Sequence, residues 1–250
     1  MQNYLIYITI FIYGILIGSF LNVCIYRIPR KENITTTRSH CMSCGYVLKW
    51  YDLIPLFSYL SIRGRCRKCG EKISPQYPMV ELINGLFYVW VLYIHGITIE
   101  SVLFALLTSS LIVLSIIDFR TYEIPVGINI VILILGVLRV ILDYKHVTDY
   151  LLGLISVSGF LLLLYLITKG RGIGGGDIKL MAGVGLLLGV KLTILAFLLG
   201  CMIGSVIHVL RMKIKGADNI LAFGPYLSSG IFITILYGNQ IIQWYLDFLL

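Results

Sequence analysis

Two sets of residues in this chain have types and spacings that could do chemistry: four paired cysteines, and two aspartates that interrupt apolar runs. Cys41-Met-Ser-Cys44 and Cys66-Arg-Lys-Cys69 are separated by 21 residues, and each pair is followed by a glycine, Gly45 or Gly70. Two C-x-x-C knuckles at this separation match a four-thiolate zinc site. The first cysteine of each pair binds as the chain turns, and the glycine lets the turn bring the second sulfur round. Arg65, Arg67 and Lys68 favour thiolates and offset the negative charge of such a site. Four protein ligands leave no open position, so zinc here is structural, and it would fold a loop too short to have much core. The plainer alternative is four unliganded thiols or a redox pair. Cys24 and Cys201 lie inside apolar runs, where inert packing is the default.

Asp118 ends the run Leu111-Ile-Val-Leu-Ser-Ile-Ile117, and Asp177 closes Gly172-Ile-Gly-Gly-Gly-Asp177. Ionisable groups near a bilayer are expensive and are functional candidates for that reason. Two neighbouring carboxylates cannot both ionise; sharing one proton, they can work as an acid and a base on water and a peptide carbonyl. Gly174, Gly175 and Gly176 would let a substrate backbone come close to the Asp177 carboxylate. The competing reading of Asp177 is a flexible linker whose aspartate caps the next helix. Gly170-Arg-Gly-Ile-Gly-Gly satisfies G-x-G-x-x-G formally, but it follows an apolar helix rather than a strand, so a dinucleotide site is rejected. Glu81 and Glu123 are rival carboxylates. Glu123 lacks a glycine loop, and Glu81 opens a helix, where a carboxylate is favoured anyway.

The elements that must position these groups follow from composition. Hydrophobic residues make up 58% of the 250 positions and charged ones 13%, with a mean hydropathy of +0.93. A soluble domain carries about twice that charged fraction. Apolar runs near the roughly 20 residues that cross a bilayer fall at 4–26, 79–95, 101–117, 124–142, 150–168, 178–190, 192–210 and 225–242, which makes eight. The expected fold is therefore an all-α polytopic membrane protein of about eight transmembrane helices with a cytoplasmic zinc-binding loop.

Ten of the twenty Lys and Arg lie between Arg27 and Lys72, and a basic loop between spans marks the cytoplasmic side. That distribution argues against nucleic acid as the partner of the +8 charge, and a reducing cytosol argues against disulfides. The first run has its basic residues after it, so it is expected to be an uncleaved anchor with its N-terminus outside. Alternation then puts the junctions 118–123, 169–177 and 211–218 on the cytoplasmic side, with both aspartates at one face. Lys191 alone sits against this rule, and 178–190 is short for a crossing. Three regions result: an anchor over 1–26, the four-cysteine loop over 27–78, and a bundle over 79–250. No internal repeat is visible.

Together the motifs resemble the bacterial type IV prepilin peptidase family, bifunctional leader peptidases and N-methyltransferases among the GxGD aspartic proteases. The resemblance runs from Gly18-Ser-Phe-Leu-Asn-Val-Cys-Ile-Tyr-Arg-Ile-Pro-Arg30 through the paired cysteines. It includes Trp50-Tyr-Asp-Leu-Ile-Pro-Leu-Phe-Ser-Tyr-Leu60, Arg63-Gly-Arg-Cys66, Tyr77-Pro-Met-Val-Glu-Leu82, Ile117-Asp118, Gly174-Gly-Gly-Asp177 and Phe223-Gly-Pro225. It implies that Asp118 and Asp177 are catalytic. It also implies that leaders of prepilin or pseudopilin precursors are removed at the cytoplasmic face of the bacterial inner membrane. S-adenosylmethionine would then supply a methyl group to the new N-terminus, with the methyl-donor site in the cytoplasmic loop on residues that the sequence does not single out. Where the family often has Pro-Asp beyond the first aspartate, this chain has Pro125-Val126.

Two other functions compete. Presenilin-type or signal-peptide-type intramembrane proteases share the aspartates but lack a four-cysteine loop. A proton or cation transporter would place its carboxylates near mid-membrane between repeated halves.

Overall fold

The computed structural model describes residues 2–215 and 221–249, all helix and loop except for two isolated β-bridges. The last part of the expected 211–218 junction lies outside the described residues. By contact the chain divides into two compact units, Met1–Gly96 and Ile97–Leu250. The first contains α1 (Gln2–Arg27), a 3-10 turn (Trp50–Leu53), α2 (Phe57–Ser61) and α3 (Gln76–His95). The second contains α4 (Ile99–Thr121), α5 (Val126–Leu142), α6 (Val147–Ile167), α7 (Gly175–Leu188), α8 (Val190–Lys215) and α9 (Gly224–Leu249).

Each apolar run expected from sequence corresponds to a helix, with ends that agree to within a few residues. Five of the described helical segments are long and apolar enough to cross a membrane: those of α1, α3, α4, α6 and α8. α5 is apolar but has 17 residues, and α7 has 14. α9 is long but is interrupted by the polar pair Asn239-Gln240. The outer faces suit hydrocarbon. On α5, Ile130, Val131, Ile134, Leu138 and Ile141 are exposed while Ile128, Ile132 and Leu135 are buried. A helix apolar on both faces needs an apolar solvent.

Helix ends are set by local chemistry. Thr98 caps α4 by accepting a hydrogen bond from Ser101 N at 3.1 Å, satisfying one of the first-turn donors that have no partner within the helix. At its other end Tyr122 turns left-handed and donates to the Asp118 carbonyl at 2.8 Å. The boundary expected near Lys191 falls earlier: α7 stops at Leu188, Gly189 takes φ 79°, and α8 starts at Val190. The helix breaks there at a left-handed glycine, and Lys191, the polar residue that marked the boundary in sequence, sits in the first turn of α8. Glu81 is likewise not at a helix start, because α3 begins at Gln76 and runs through Pro78.

Within the first unit, α1 packs on α3 along Gly14-x-x-x-Gly18. A Cβ on Gly14 would lie 2.7 Å from Gly85 Cα, and one on Gly18 would lie 2.7 Å from Glu81 Cα. The backbones approach closely enough for Asn84 Nδ2 to donate to the Gly14 carbonyl at 2.7 Å. Small residues four apart are how helices gain dispersion contacts in lipid, where no hydrophobic force separates helix from solvent. α6 and α7 use the same device, Gly153 facing Gly185 so closely that either Cβ would strike the other backbone.

Gly14→Leu should therefore destabilise the protein by about 1–3 kcal/mol through overpacking. Gly127→Ala, at a position with open space around it, should be close to neutral. Unfolding midpoints in one detergent give the comparison, and equal midpoints for the two variants would refute the close α1–α3 approach.

Candidate active site and metal centre

The two knuckles of the first unit are built alike. Cys41 N donates to Tyr46 O at 2.9 Å and Gly45 N to Cys41 O at 2.9 Å; Cys66 N donates to Glu71 O at 2.8 Å and Gly70 N to Cys66 O at 2.9 Å. Gly45 and Gly70 take φ 67° and 74°, the left-handed conformation that the C-x-x-C-G pattern predicts. The paired bridges His40 with Val47 and Arg65 with Lys72 close the two turns. Asp52 ties them together. Its carboxylate accepts from Tyr46 Oη and Lys49 N, both at 3.2 Å, on the first knuckle's side. From the second knuckle, Arg67 Nε reaches it at 3.1 Å.

This scaffold gathers all four sulfurs within 4.8 Å of one another. Cys41 Sγ and Cys69 Sγ lie 3.8 Å apart, and Cys44 Sγ and Cys66 Sγ 3.9 Å apart. Sulfurs about 2.3 Å from one tetrahedral metal ion stand about 3.8 Å from each other, so the residues fit a metal in the size class of zinc. Backbone N–H groups of Cys69 and Lys68 stabilise the Cys66 thiolate and hold its pKa at about 6. The Glu71 amide favours a Cys69 thiolate too, but desolvation and the neighbouring sulfurs outweigh it and push that thiol up to about 12. Sulfurs this close resist full ionisation together, and a divalent cation is the partner that would allow it.

In the second unit Asp118 occupies the last turn of α4 and Asp177 the first turn of α7. Both are buried, at 4% and 9% exposure, and they lie within electrostatic range of each other. What brings them together is packing between the segments that follow and precede them. Gly176 sits against Ile124, where a Cβ would come within 2.8 Å of the Ile124 Cβ. Asn129 Nδ2 donates to the Gly176 carbonyl at 3.2 Å. Gly174 leaves room for the Asp177 carboxylate, whose Oδ2 lies 3.1 Å from where a Cβ would be. Gly174 and Gly175 themselves are exposed. A linker aspartate that merely caps a helix would sit at the N-cap, which here is Gly174.

Asp118 Oδ2 accepts a hydrogen bond from Gly224 N at 2.8 Å, at the start of α9. No side chain fits at that glycine, since a Cβ would fall 2.8 Å from the same oxygen. Asp177 Oδ1 and Asn129 Oδ1 are buried without a hydrogen-bond partner from the protein. Those two acceptors mark a polar place beside the aspartates that the chain itself does not satisfy. Glu123 is exposed at the turn after α4, whereas Glu81 is buried in the first unit and accepts from Leu56 N at 2.8 Å. Sequence reasoning noted Phe223-Gly-Pro225 without a role for Gly224 and passed over Asn129; an isolated asparagine in an apolar run was the available signal.

Comparison with known proteins follows the same division. Residues 12–95 match the Bacterial Peptidase A24 N-terminal domain and residues 105–209 the Type IV leader peptidase family. A prepilin leader peptidase/N-methyltransferase of Pseudomonas aeruginosa is 31% identical over 94% of this chain and 91% of its own length. One from Bacillus subtilis is 34% identical over 95% and 96%, and one from Aeromonas salmonicida 31% identical over 99% and 96%. No solved structure shows significant similarity to the chain. With relatives aligned over nearly their full lengths and both units matched, the chain belongs to the type IV leader peptidase family.

Proposed function

We propose that this protein is a membrane aspartic endopeptidase that removes the leader of type IV prepilin or pseudopilin precursors and then N-methylates the new N-terminus. The observation that carries the peptidase reading is the burial of Asp118 and Asp177 together at helix ends of one unit, beside exposed glycine backbone. One carboxylate takes a proton from the attacking water while the other protonates the scissile carbonyl; the proton then passes to the leaving amine. The Gly224 amide fixes the Asp118 carboxylate, and Asp177 Oδ1 is the oxygen left for water or substrate. The Gly174–Gly175 backbone gives an extended peptide close access to that point. Asn129 positions the loop through the Gly176 carbonyl.

The four cysteines hold a structural zinc ion in this reading, supported by the sulfur spacing. Zinc would fold the loop and leaves no coordination position for substrate. S-adenosylmethionine is the methyl donor. The helices form about eight crossings of the bacterial inner membrane, with residues 1–26 as anchor and 27–78 as a cytoplasmic loop bearing methyl transfer. Within 79–250 the aspartates face the cytoplasm, as the positive-inside rule requires of their basic junctions.

Asp118→Asn and Asp177→Asn should each lower leader cleavage by at least about a thousandfold, because groups acting as one unit are not additive. Glu123→Gln should cleave at the wild-type rate. Cleavage is read as the mass shift of a purified prepilin, on preparations matched for membrane accumulation. Substantial activity in either aspartate variant would remove that residue from the chemistry.

Wild-type protein should carry one zinc ion per chain, and Cys41→Ser with Cys66→Ser together should carry none. That variant should also lose methyl transfer, while cleavage weakens without vanishing, since no cysteine takes part in the proton chemistry. Metal analysis by mass spectrometry on the same preparations decides it; zinc retained in the double variant is the outcome that excludes a four-thiolate site.

A further inference from the structure

The first unit holds a cavity of about 370 Å3 beside the sulfur cluster, within the roughly 300–1,000 Å3 of small-molecule sites. Its wall comes from the end of α1, both knuckles and the start of α3. Three polar side chains in that wall are buried beyond nine-tenths: Asn22 at 3%, Arg27 at 6% and Glu81 at 7% exposure.

Each has a definite job left over. Asn22 Nδ2 donates to the carbonyls of Gly18 and Tyr77 at 3.3 and 3.0 Å. Only an NH2 group satisfies two carbonyls, so the amide orientation is fixed, and Asn22 Oδ1 is left buried with no partner from the protein. Glu81 accepts from Leu56 N at 2.8 Å and from the Ser19 hydroxyl, yet no cationic side chain among the described residues pairs with it. A buried carboxylate without a counter-charge either takes up a proton or meets a cation, and a cationic ligand would supply the second. Arg27 is anchored by Nη1 to the carbonyls of Asn33 and Ile34, both at 3.1 Å, and brings a positive charge to the same wall. Tyr26 and Tyr77 add aromatic surface, which also attracts cations.

The wall thus asks for a ligand with a cationic centre, an N–H donor, an anionic end and an apolar body. We infer that this cavity is the methyl-donor site, binding S-adenosylmethionine with Glu81 as counter-charge to its cationic groups and Asn22 Oδ1 accepting from one of its N–H groups. This placement rests on the methyltransferase reading above and assigns it to particular residues. In the transfer, the lone pair of the neutral N-terminal amine forms the new N–C bond. The S–C bond breaks with its electron pair kept by sulfur, so the sulfonium becomes a neutral thioether, and the methylated ammonium releases its extra proton to water. Because Cys41 and Cys66 also line the cavity, a metal-folded loop is part of its wall.

The test uses the zinc-loaded full chain in detergent, with calorimetric binding of S-adenosylhomocysteine and photo-crosslinking of methyl-tritiated S-adenosylmethionine. Glu81→Gln keeps an acceptor for Leu56 N while losing the charge, and Asn22→Ala removes the unpartnered oxygen. Each should weaken binding at least tenfold with zinc content unchanged, and Asn22→Asp, which keeps an acceptor there, should bind better than Asn22→Ala. The crosslink should map to peptides containing Tyr26 or Tyr77. A wild-type protein that methylates a leaderless pilin but crosslinks within 97–250, or that binds equally well in both variants, would overturn the placement and leave the methyltransferase reading standing. Wild-type protein that neither binds the probe nor transfers methyl would overturn both.

Discussion

A backbone polar group or a carboxylate in hydrocarbon has no water to turn to, and that single constraint organises the second unit. It forces the chain into helices, whose internal hydrogen bonds satisfy their own peptides, and it drives chemistry to the ends of those helices. Asp118 stands in the last turn of α4 and Asp177 in the first turn of α7. A first-turn position also gives Asp177 the favourable end of a helix dipole. At the other end of α4, Glu100 finds a charged partner instead, meeting Arg139 in the last turn of α5 at 2.8 Å. The Asp118–Asp177 pair is different in kind. Asp118 is held by one backbone amide, and Asp177 keeps an oxygen without a protein partner.

Glycine does the complementary work. Between helices it replaces the hydrophobic drive that lipid removes, by letting backbones meet at Gly14 with Gly85 and at Gly153 with Gly185. Around Asp177 it has another effect, since the same lack of a side chain leaves the backbone of Gly174 and Gly175 exposed beside a buried carboxylate. The 17-residue α5 and 14-residue α7 are consistent with this arrangement, since the site-bearing loop and the Gly189 turn take up chain that longer helices would have used.

What could be read from sequence was local. The C-x-x-C-G pairs declare their turns because the interactions that make a knuckle are local, from Cys41 to Tyr46 in the turn and from His40 to Val47 in the bridge that closes it. The aspartates declare themselves by being charged where their neighbours are apolar. Helix existence was legible for the same reason, through runs of apolar residues, and the α7–α8 break was legible to within two residues through Lys191, while its exact place at Gly189 has no polar marker. The rest of the site depends on contacts between distant residues. Gly224 reaches Asp118 across 106 positions and Asn129 reaches Gly176 across 47. Glu81 read as a helix-start carboxylate, and only the fold shows it buried against Leu56 and Ser19. No periodicity encodes such pairings.

Two activities in one chain need two environments, and the residues divide accordingly. Peptide hydrolysis needs water activated between carboxylates that can exchange a proton, with glycine backbone giving a peptide access. Methyl transfer needs the opposite: a cation drawn out of water, held by a counter-charge, and met by an amine that has already lost its proton. A four-cysteine metal site supplies neither, because all of its coordination positions are filled by protein. It would supply instead a folded wall for a loop that has almost no hydrophobic core, in which Pro55 and Cys66 are the buried apolar side chains between Arg27 and Gln76. A metal on the four sulfurs would, with Asp52, do for the loop what glycine-mediated contact does for the helices: each closes a structure where ordinary hydrophobic burial is not on offer.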